Sequence, residues 1–248
     1  MLFIGLVNTI RVSFIAIILT TIFGLALSLL QISKILILEK ISFFIIDTIK
    51  NIPVYVIIIF SFLTFNNFFT NIINPVVIIE NVLIISRSGI TIPWIFEFVV
   101  SYPELARFGI TGGLDITPEF ISLTLGLSIY TSAFVADIFS SAIRSFPKDF
   151  RDSASSLNFT KYQTLFFIVI PYSFRIISPS LVNQYINLLK NSSLGVGIGY
   201  PELLTVTQLS INTTGKTVEA ISIMALIYFI LSYFTSLFLN YTTNKSKI

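Results

Sequence analysis

The sequence predicts an all-α, polytopic membrane protein with five transmembrane helices. Of its 248 residues, 54% are hydrophobic and only 11% are charged, against roughly 25% charged residues in a typical soluble domain. The mean hydropathy is +0.91, and long charge-free runs recur along the chain. So few charges cannot cover the surface of a water-soluble fold of this length, and a disordered chain would be far less apolar.

Each predicted helix is a mostly apolar run, and about 20 such residues are needed to cross a bilayer. The five runs are Val12–Ser33, Asn51–Ile79 with its wet end near Phe65, Phe120–Ile143, Ile176–Leu189 and Ala220–Asn240. The fourth run is short and meets Lys190, so we expect it to be interrupted. The apolar segment Asn81–Val100 contains charges, a glycine and a proline. It is predicted to be interfacial or re-entrant, with Trp94 and Tyr102 at headgroup depth, and a sixth span is the alternative.

Basic residues predict the orientation, because cytoplasmic loops of membrane proteins carry an excess of Lys and Arg. With the N-terminus outside and the C-terminus inside, the inside loops hold Lys34, Lys40, Lys50, Arg144, Lys148, Arg151, Lys161, Arg175, Lys245 and Lys247. The outside keeps Arg11, Arg87, Arg107 and Lys216, and Lys190 belongs to neither side. This topology gives one transmembrane domain over residues 1–248, with an external segment at about 71–118 and a cytoplasmic loop at about 144–171. The first run starts so early that we expect a longer parent sequence.

The composition also excludes several classes of chemistry. The chain has no cysteine and no histidine, which removes Cys/His metal sites, Ser-His-Asp triads and disulfides. It contains no phosphate-binding loop of the G-x-x-x-x-G-K-[ST] type. Its basic residues are scattered beside apolar runs and form no stripe that would fit nucleic acid. We therefore expect no enzyme activity, no metal and no cofactor.

Small side chains recur every four residues in the third run, at Ser128, Ser132, Ala136 and Ser140. Such a ridge lets another helix approach closely, so we expect a tight helix partner, within the chain or in a second subunit. Gly24 and Ser28 give the first run a similar surface. Asp137 lies beside the ridge, and a carboxylate at membrane depth must face protein or water. It is predicted either to pair with Arg144 or Arg175 or to take part in solute passage.

Polar residues interrupt the chain directly after the fourth run. Lys190 is followed by Asn191, Ser192 and Ser193, and glycines then stand at 195, 197 and 199. Broken helices at membrane depth are tolerated where they are buried in protein or line a cavity. The pattern therefore predicts either a plain structural break or the lining of a passage, in which Lys190 would attract a carboxylate.

The predicted cytoplasmic loop contains a short amphipathic helix at Asp152–Leu157, with Phe150, Ala154 and Leu157 as its apolar contacts. Asn158 follows, and asparagine enters the left-handed backbone region more easily than most residues. We therefore expect a short helix, a sharp turn and entry into the next span. Such a loop suits docking of a cytoplasmic partner; the alternative is a helix lying flat on the lipid surface.

This loop resembles the EAA motif of the permease subunits of binding-protein-dependent ABC importers. Asp152-Ser153-Ala154, then Asn158, then Ile168-Val169-Ile170-Pro171 keep the spacing of that motif, although Asp, Ser and Asn replace its Glu, first Ala and Gly. Other stretches are similar to the polar amino-acid subfamily, and most of all to general L-amino-acid permeases. They are residues 5–11, 50–53, 87–89 with Pro93, 133–138, 189–194 and 198–201.

The resemblance implies an ABC importer permease (MetI-like) fold in the bacterial inner membrane, surrounded by membrane lipid. It implies a pore formed with a second permease subunit, as a homodimer or heterodimer, and a periplasmic binding protein that delivers an amino acid. The resemblance also implies that ABC ATPase subunits contact Asp152, Ser153, Ala154, Leu157 and Asn158. The weaker prediction for the translocation pathway is Lys190, Asn191, Ser192 and Ser193.

Two other classes remain as alternatives. The first is a secondary transporter or channel subunit that works without an ATPase, although five spans without an inverted repeat disfavour it. The second is a membrane enzyme, which would need a convergent polar site, whereas Asp137 and Lys190 are predicted to lie at opposite depths.

Overall fold

A computed structural model describes residues 1–70, 74–80, 82–96, 99–106 and 109–245. Helices dominate these ranges: α1 (Leu2–Gln31), α2 (Leu36–Asn51), α3 (Val54–Thr70), α4 (Pro118–Arg144), α5 (Lys148–Ser156), α6 (Lys161–Thr164), α7 (Ile170–Asn191), α8 (Leu203–Thr214) and α9 (Thr217–Lys245). A π-helical turn, Leu165–Val169, joins α6 to α7, and a 3₁₀ helix, Ser192–Ile198, follows α7.

Four helical stretches among the described residues are long and apolar enough to cross a membrane: Leu2–Gln31, Pro118–Arg144, Lys161–Ile198 and Thr217–Phe238. A fifth crossing is formed if α2 and α3, which meet at an angle of 101°, count as one broken span. The predicted runs correspond to α1, α3, α4, α7 and α9. The second predicted run, Asn51–Ile79, extends too far along the chain, since Val76–Ile79 form a β-strand, and the helix α2 is an addition to the predicted set.

The close approach of α1 and α4 confirms the packing role predicted for the small residues. The Ser128 hydroxyl donates a hydrogen bond to the Ala16 carbonyl oxygen at 3.3 Å. A Cβ atom added at Gly24 would lie only 2.5 Å from Cγ1 of Val135 and 3.2 Å from the Ser132 carbonyl oxygen. The partner of the ridge is therefore a helix of the same chain, and close backbone approach takes the place of large interlocking side chains.

Replacing Gly24 by leucine is expected to force α1 away from α4, because the new side chain has no room beside Val135. Overpacking of this kind costs about 1–3 kcal/mol, so the thermal unfolding midpoint in detergent should fall by several degrees. Ala26→Leu is the matched control, since Ala26 lies on the exposed face of the same helix. Equal midpoints for the two variants would contradict this account of the interface.

A buried apolar cluster extends this contact to the neighbouring helices. It joins Val12 of α1, Ile58 of α3, Leu127 of α4 and Leu188 of α7, all with no exposed area. In contrast, large apolar side chains cover the outside of α9, and none of its membrane-crossing window is buried. Small and polar residues thus share the interior with this apolar cluster, while bulky apolar side chains cover the outer surface, as expected where lipid is the solvent.

Short antiparallel strands occupy the predicted external segment, for which the sequence predicts no strand. They are β1 (Val76–Ile79), β2 (Leu83–Ser86), β3 (Gly89–Ile92), β4 (Trp94–Phe96), β5 (Val99–Ser101), β6 (Glu104–Ala106), β7 (Gly109–Thr111) and β8 (Leu114–Ile116). One sheet has the order β1-β2-β3-β8, and β4–β5 and β6–β7 form separate ribbons.

The alternative of a sixth membrane-crossing helix over Asn81–Val100 is therefore wrong for residues 82–96 and 99–100. Ser86 pairs with Gly89 across a tight turn, and Gly89 takes a φ of +121°, which side chains with a Cβ rarely adopt. The Thr91 hydroxyl donates to Asp115 at 2.6 Å and ties β3 to β8. Short apolar runs fit a strand as well as part of a helix, so their composition alone does not separate the two. The interfacial depth of Trp94 and Tyr102 stays a prediction; Glu97 lies outside the described residues.

Candidate coupling segment and translocation pathway

The segment that links α4 to α7 has the predicted order of short helix, sharp turn and entry into the next span. After α5, Asn158 adopts a φ of +58°. The Phe159 amide donates to the Ala154 carbonyl at 3.1 Å and the Asn158 amide to the Ser155 carbonyl at 3.0 Å. These two bonds form a Schellman motif, in which the position of Asn158 normally holds glycine. Asparagine therefore preserves the turn at the place of the motif glycine, as the sequence predicted.

The turn leads into a capped helix start. The Thr160 hydroxyl accepts a hydrogen bond from the Gln163 amide, and the Gln163 side chain accepts one from the Thr160 amide. This reciprocal capping box fixes the first turn of α6. Further on, Pro171 lacks an N–H and its ring would crowd the carbonyl of residue 167. The π-helical turn Leu165–Val169 lies at this point and widens the helix, which accommodates the proline.

The residues predicted to contact an ATPase do not all face the same way. Ala154 is 2% exposed and packs inward, whereas Leu157 is 72% exposed. Asp152, Ser153 and Asn158 are also exposed. The expectation that Leu157 forms an apolar contact of the loop itself is therefore wrong, and α5 uses Ala154 instead. Four of the five predicted residues are thus accessible, and Ala154 is the one that packs inward.

Aromatic rings hold α5 against the start of α7. Phe146 contacts Tyr172 edge-on, with ring centroids 5.0 Å apart. Phe150 lies 6.0 Å from Phe146 and 6.1 Å from Tyr172. Offset and edge-on ring pairs of this kind stabilise beyond the area they bury. Phe150 of α5 is therefore in contact with Tyr172 of α7.

Asp137 forms an ion pair, but not with either predicted partner. Its Oδ2 lies 2.5 Å from Nζ of Lys50, and Gln31 Nε2 donates to Oδ1 at 3.3 Å. Arg144 instead donates to the Gln31 backbone carbonyl at 3.0 Å and lies 3.8 Å from Glu39. The prediction failed because Lys50 lies 87 residues away in sequence, and only the packing of α2 against α4 brings it close.

The predicted pathway residues lie where α7 ends and the helix tightens to a 3₁₀ helix. Lys190 is exposed, Asn191 and Ser193 are half-buried, and Ser192 is buried. Both serine hydroxyls donate to backbone carbonyls three residues earlier. Lys190 and Ser193 share the wall of a cavity of about 220 Å³, whereas Ser192 faces the protein interior.

Glycines allow this break in the helix, as predicted. Gly199 takes a φ of +77°, and the Tyr200 amide donates to the Gly195 carbonyl at 3.0 Å. A Cβ atom at Gly197 would overlap the ring of Tyr55. The three glycines thus close the 3₁₀ helix with a second Schellman-type turn and let α3 approach it.

Glu202 is a buried carboxylate that the sequence reasoning missed. It is fully buried and caps α8, accepting hydrogen bonds from the Leu204 and Thr205 amides, both at 2.8 Å. The Thr205 and Tyr228 hydroxyls each donate to it at 3.0 Å. Burial raises the pKa of Glu202, although these hydrogen bonds favour the ionised form. An acidic residue directly before an apolar helical run is the signal that could have identified the cap.

The residues around Glu202 also contact the start of α1. The Asn8 side chain donates to the Pro201 carbonyl at 2.9 Å, and the Leu203 amide donates to the Thr9 hydroxyl at 3.1 Å. A Cβ atom at Gly5 would lie 2.9 Å from the Leu203 Cα. Residues 5–11, one of the stretches that carry the resemblance, thus anchor α1 to the segment after the 3₁₀ helix.

The comparison with known protein families identifies the class of membrane protein to which the chain belongs. The family model described as "Binding-protein-dependent transport system inner membrane component" matches residues 22–246. The chain therefore belongs to this family of transport permeases, and it is a multi-pass inner-membrane protein. The resemblance inferred from the EAA spacing is confirmed.

Among individual proteins, the chain is similar to permease proteins of bacterial amino-acid transport systems. The chain is 38% identical over 153 residues to the general L-amino acid transport system permease protein AapQ of Rhizobium johnstonii, covering 62% of this chain and 38% of that protein. It is 31% identical over 239 residues to the probable glutamine ABC transporter permease protein GlnP of Bacillus subtilis, covering 94% and 88%. It spans about two fifths of the length of the first curated relatives that it matches.

Solved structures confirm the fold. A crystal structure of an amino acid ABC transporter with histidines superposes with a TM-score of 0.70 at 22% identity, covering 98% of this chain and 93% of that one. An inward-facing methionine ABC transporter, MetNI, gives a TM-score of 0.69 at 12% identity, covering 100% and 96%. The chain thus has the predicted MetI-like fold of ABC importer permeases.

Proposed function

We propose that this chain is the permease subunit of an ABC importer that carries amino acids across the inner membrane. With a second permease subunit it forms the pathway, a periplasmic binding protein delivers the solute, and separate ATPase subunits supply the energy. The chain itself carries out no covalent chemistry. One observation supports the proposal most strongly: an exposed, rigidly capped α5–Asn158 turn that is packed against a membrane-crossing helix.

The ATPase contact is assigned to Asp152, Ser153, Leu157 and Asn158. Asp152 and the serine hydroxyl offer polar groups, and Leu157 offers an exposed apolar side chain that a cleft on a partner can bury. Ala154, which is buried, packs α5 against the rest of the protein and so positions these residues. Because the aromatic cluster joins α5 to α7, a movement of the ATPase would tilt α7 and change the width of the pathway.

The pathway is assigned to the end of α7. Lys190 is exposed beside Ser193 and pairs with no carboxylate within 4.0 Å among the described residues. An amino acid carries a carboxylate that such an ammonium group attracts. Several relatives are named for amino-acid transport, AapQ and GlnP among them, which supports amino acids as the class of solute.

The absence of cysteine from the sequence allows a direct test of the contact and of the orientation. Leu157→Cys would introduce the only thiol, at an exposed site on α5. We expect a short bifunctional reagent to cross-link it to an ATPase subunit, and a membrane-impermeant thiol reagent to reach it only from the cytoplasmic side.

Leu105→Cys is the matched control, because Leu105 is exposed in the predicted external segment. It should react from the periplasmic side and form no cross-link to the ATPase. Labelling of Leu157→Cys from outside would overturn the orientation. Purification of the permease without any ATPase would instead favour a transporter that works alone.

A further inference from the structure

A cavity of about 620 Å³ lies where the predicted cytoplasmic ends of the helices meet. The end of α1, the start of α2, the end of α4 and α6 all contribute to its wall. Its polar lining includes Gln31, Lys34, Glu39, Arg144, Lys161 and Thr164. None of these residues belongs to the proposed ATPase contact or to the proposed pathway.

The cavity carries an excess of positive charge. Arg144 lies 3.8 Å from Glu39, so these two charges largely compensate each other. Lys34 and Lys161 have no carboxylate within 4.0 Å in the part of the chain that the structure describes. Two uncompensated ammonium groups in the lining of one cavity are suited to an anionic group.

Gln31 fixes Arg144 in the wall of the cavity. It is 3% exposed, its Nε2 donates to Asp137, and its backbone carbonyl accepts from Arg144. Because Arg144 is held by Gln31 and Glu39, the two lysines are the basic groups that stay available to a bound anion.

The surroundings favour a lipid over a soluble anion. Ile35 and Leu36, which follow Lys34, are 57% and 68% exposed, and Phe166 near Lys161 is 52% exposed. α2 is bent by 101° from α3, so it lies close to the membrane plane if α3 crosses the bilayer. Basic sites beside apolar surface at the cytoplasmic ends of helices are where anionic headgroups bind.

We propose that this cavity binds the headgroup of an anionic phospholipid of the inner leaflet. The phosphate lies near Lys34 and Lys161. Phosphatidylglycerol carries such a phosphate and a net negative charge. The inference does not depend on which solute is transported.

The test uses the intact transporter complex, reconstituted with equal amounts of phosphatidylglycerol and phosphatidylcholine and measured by native mass spectrometry. The wild type should retain phosphatidylglycerol preferentially. The double variant Lys34→Gln/Lys161→Gln should bind it about thirtyfold more weakly, since each basic residue near an anionic headgroup contributes several-fold in affinity.

Lys40→Gln/Lys148→Gln is the matched control, because it removes the same charge from exposed lysines outside the cavity on the same side of the molecule. It should retain phosphatidylglycerol like the wild type. Equal loss in both double variants, or no preference over phosphatidylcholine, would overturn the site. Displacement of the lipid by inorganic phosphate alone would show a site for free anions and refute the lipid assignment.

Discussion

Replacement of Asn158 by valine is expected to uncouple ATP hydrolysis from uptake while the protein still inserts into the membrane. The residue stands at a φ of +58°, and the left-handed region costs an ordinary L-residue about 1–2 kcal/mol, with β-branched residues the least tolerant. The Schellman turn would open, and Leu157 would leave its position at the end of α5. Uptake should fall at least about tenfold, measured with radiolabelled amino acid in vesicles of known permease content.

Asn158→Gly is the matched control for this change. Glycine adopts positive φ without strain, so it should keep the turn and retain uptake and ATPase activity near the level of the parent chain. Normal uptake in the valine variant would count against the docking role. Loss of uptake in both variants would mean that the asparagine side chain, rather than the turn, is what the partner needs.

Replacement of Glu202 by alanine is expected to destabilise the fold more than overpacking at Gly24 does. The carboxylate is fully buried and accepts four hydrogen bonds. Removing it leaves the first amides of α8 unpaired in the interior, which should cost about 3 kcal/mol or more. The thermal unfolding midpoint in detergent should fall by roughly 10 °C, and the yield of folded protein should drop.

Glu202→Gln provides the comparison that identifies the cause. Glutamine keeps one side-chain oxygen to accept from an amide but loses the second acceptor, so about half of the effect is expected. If the glutamine variant is as unstable as the alanine variant, the loss of stability is due to the loss of the negative charge. If both variants unfold at the same temperature as the parent chain, the cap makes no measurable contribution to stability.

The membrane-crossing helices could be predicted because lipid imposes a local rule on the sequence. A run of about 20 apolar residues has few alternatives, so α1, α4 and α9 follow from composition alone. The turn at Asn158 could also be predicted from the sequence, because it depends on the type and position of one residue. Small residues at every fourth position indicated a close helix contact, although the sequence did not reveal that α1 was the partner.

Features that depend on distant residues could not be predicted. The Lys50–Asp137 pair and the α1 contacts of residues 201–203 arise only when helices far apart in sequence pack together. The strands of the external segment were missed because runs of three or four residues carry no helix or strand period. The cavity beside Gln31 likewise combines residues of five helices and of the π-helical turn, and no sequence motif in any one of them indicates it.

The length of α1 has a mechanical consequence. At 1.5 Å per residue, α1 is about 45 Å long, whereas the hydrocarbon layer measures about 30 Å. A helix this long must tilt or extend into the headgroup layers. Its tilt therefore follows the thickness of the bilayer, and the turnover of the transporter should depend on the acyl-chain length of the lipids around it.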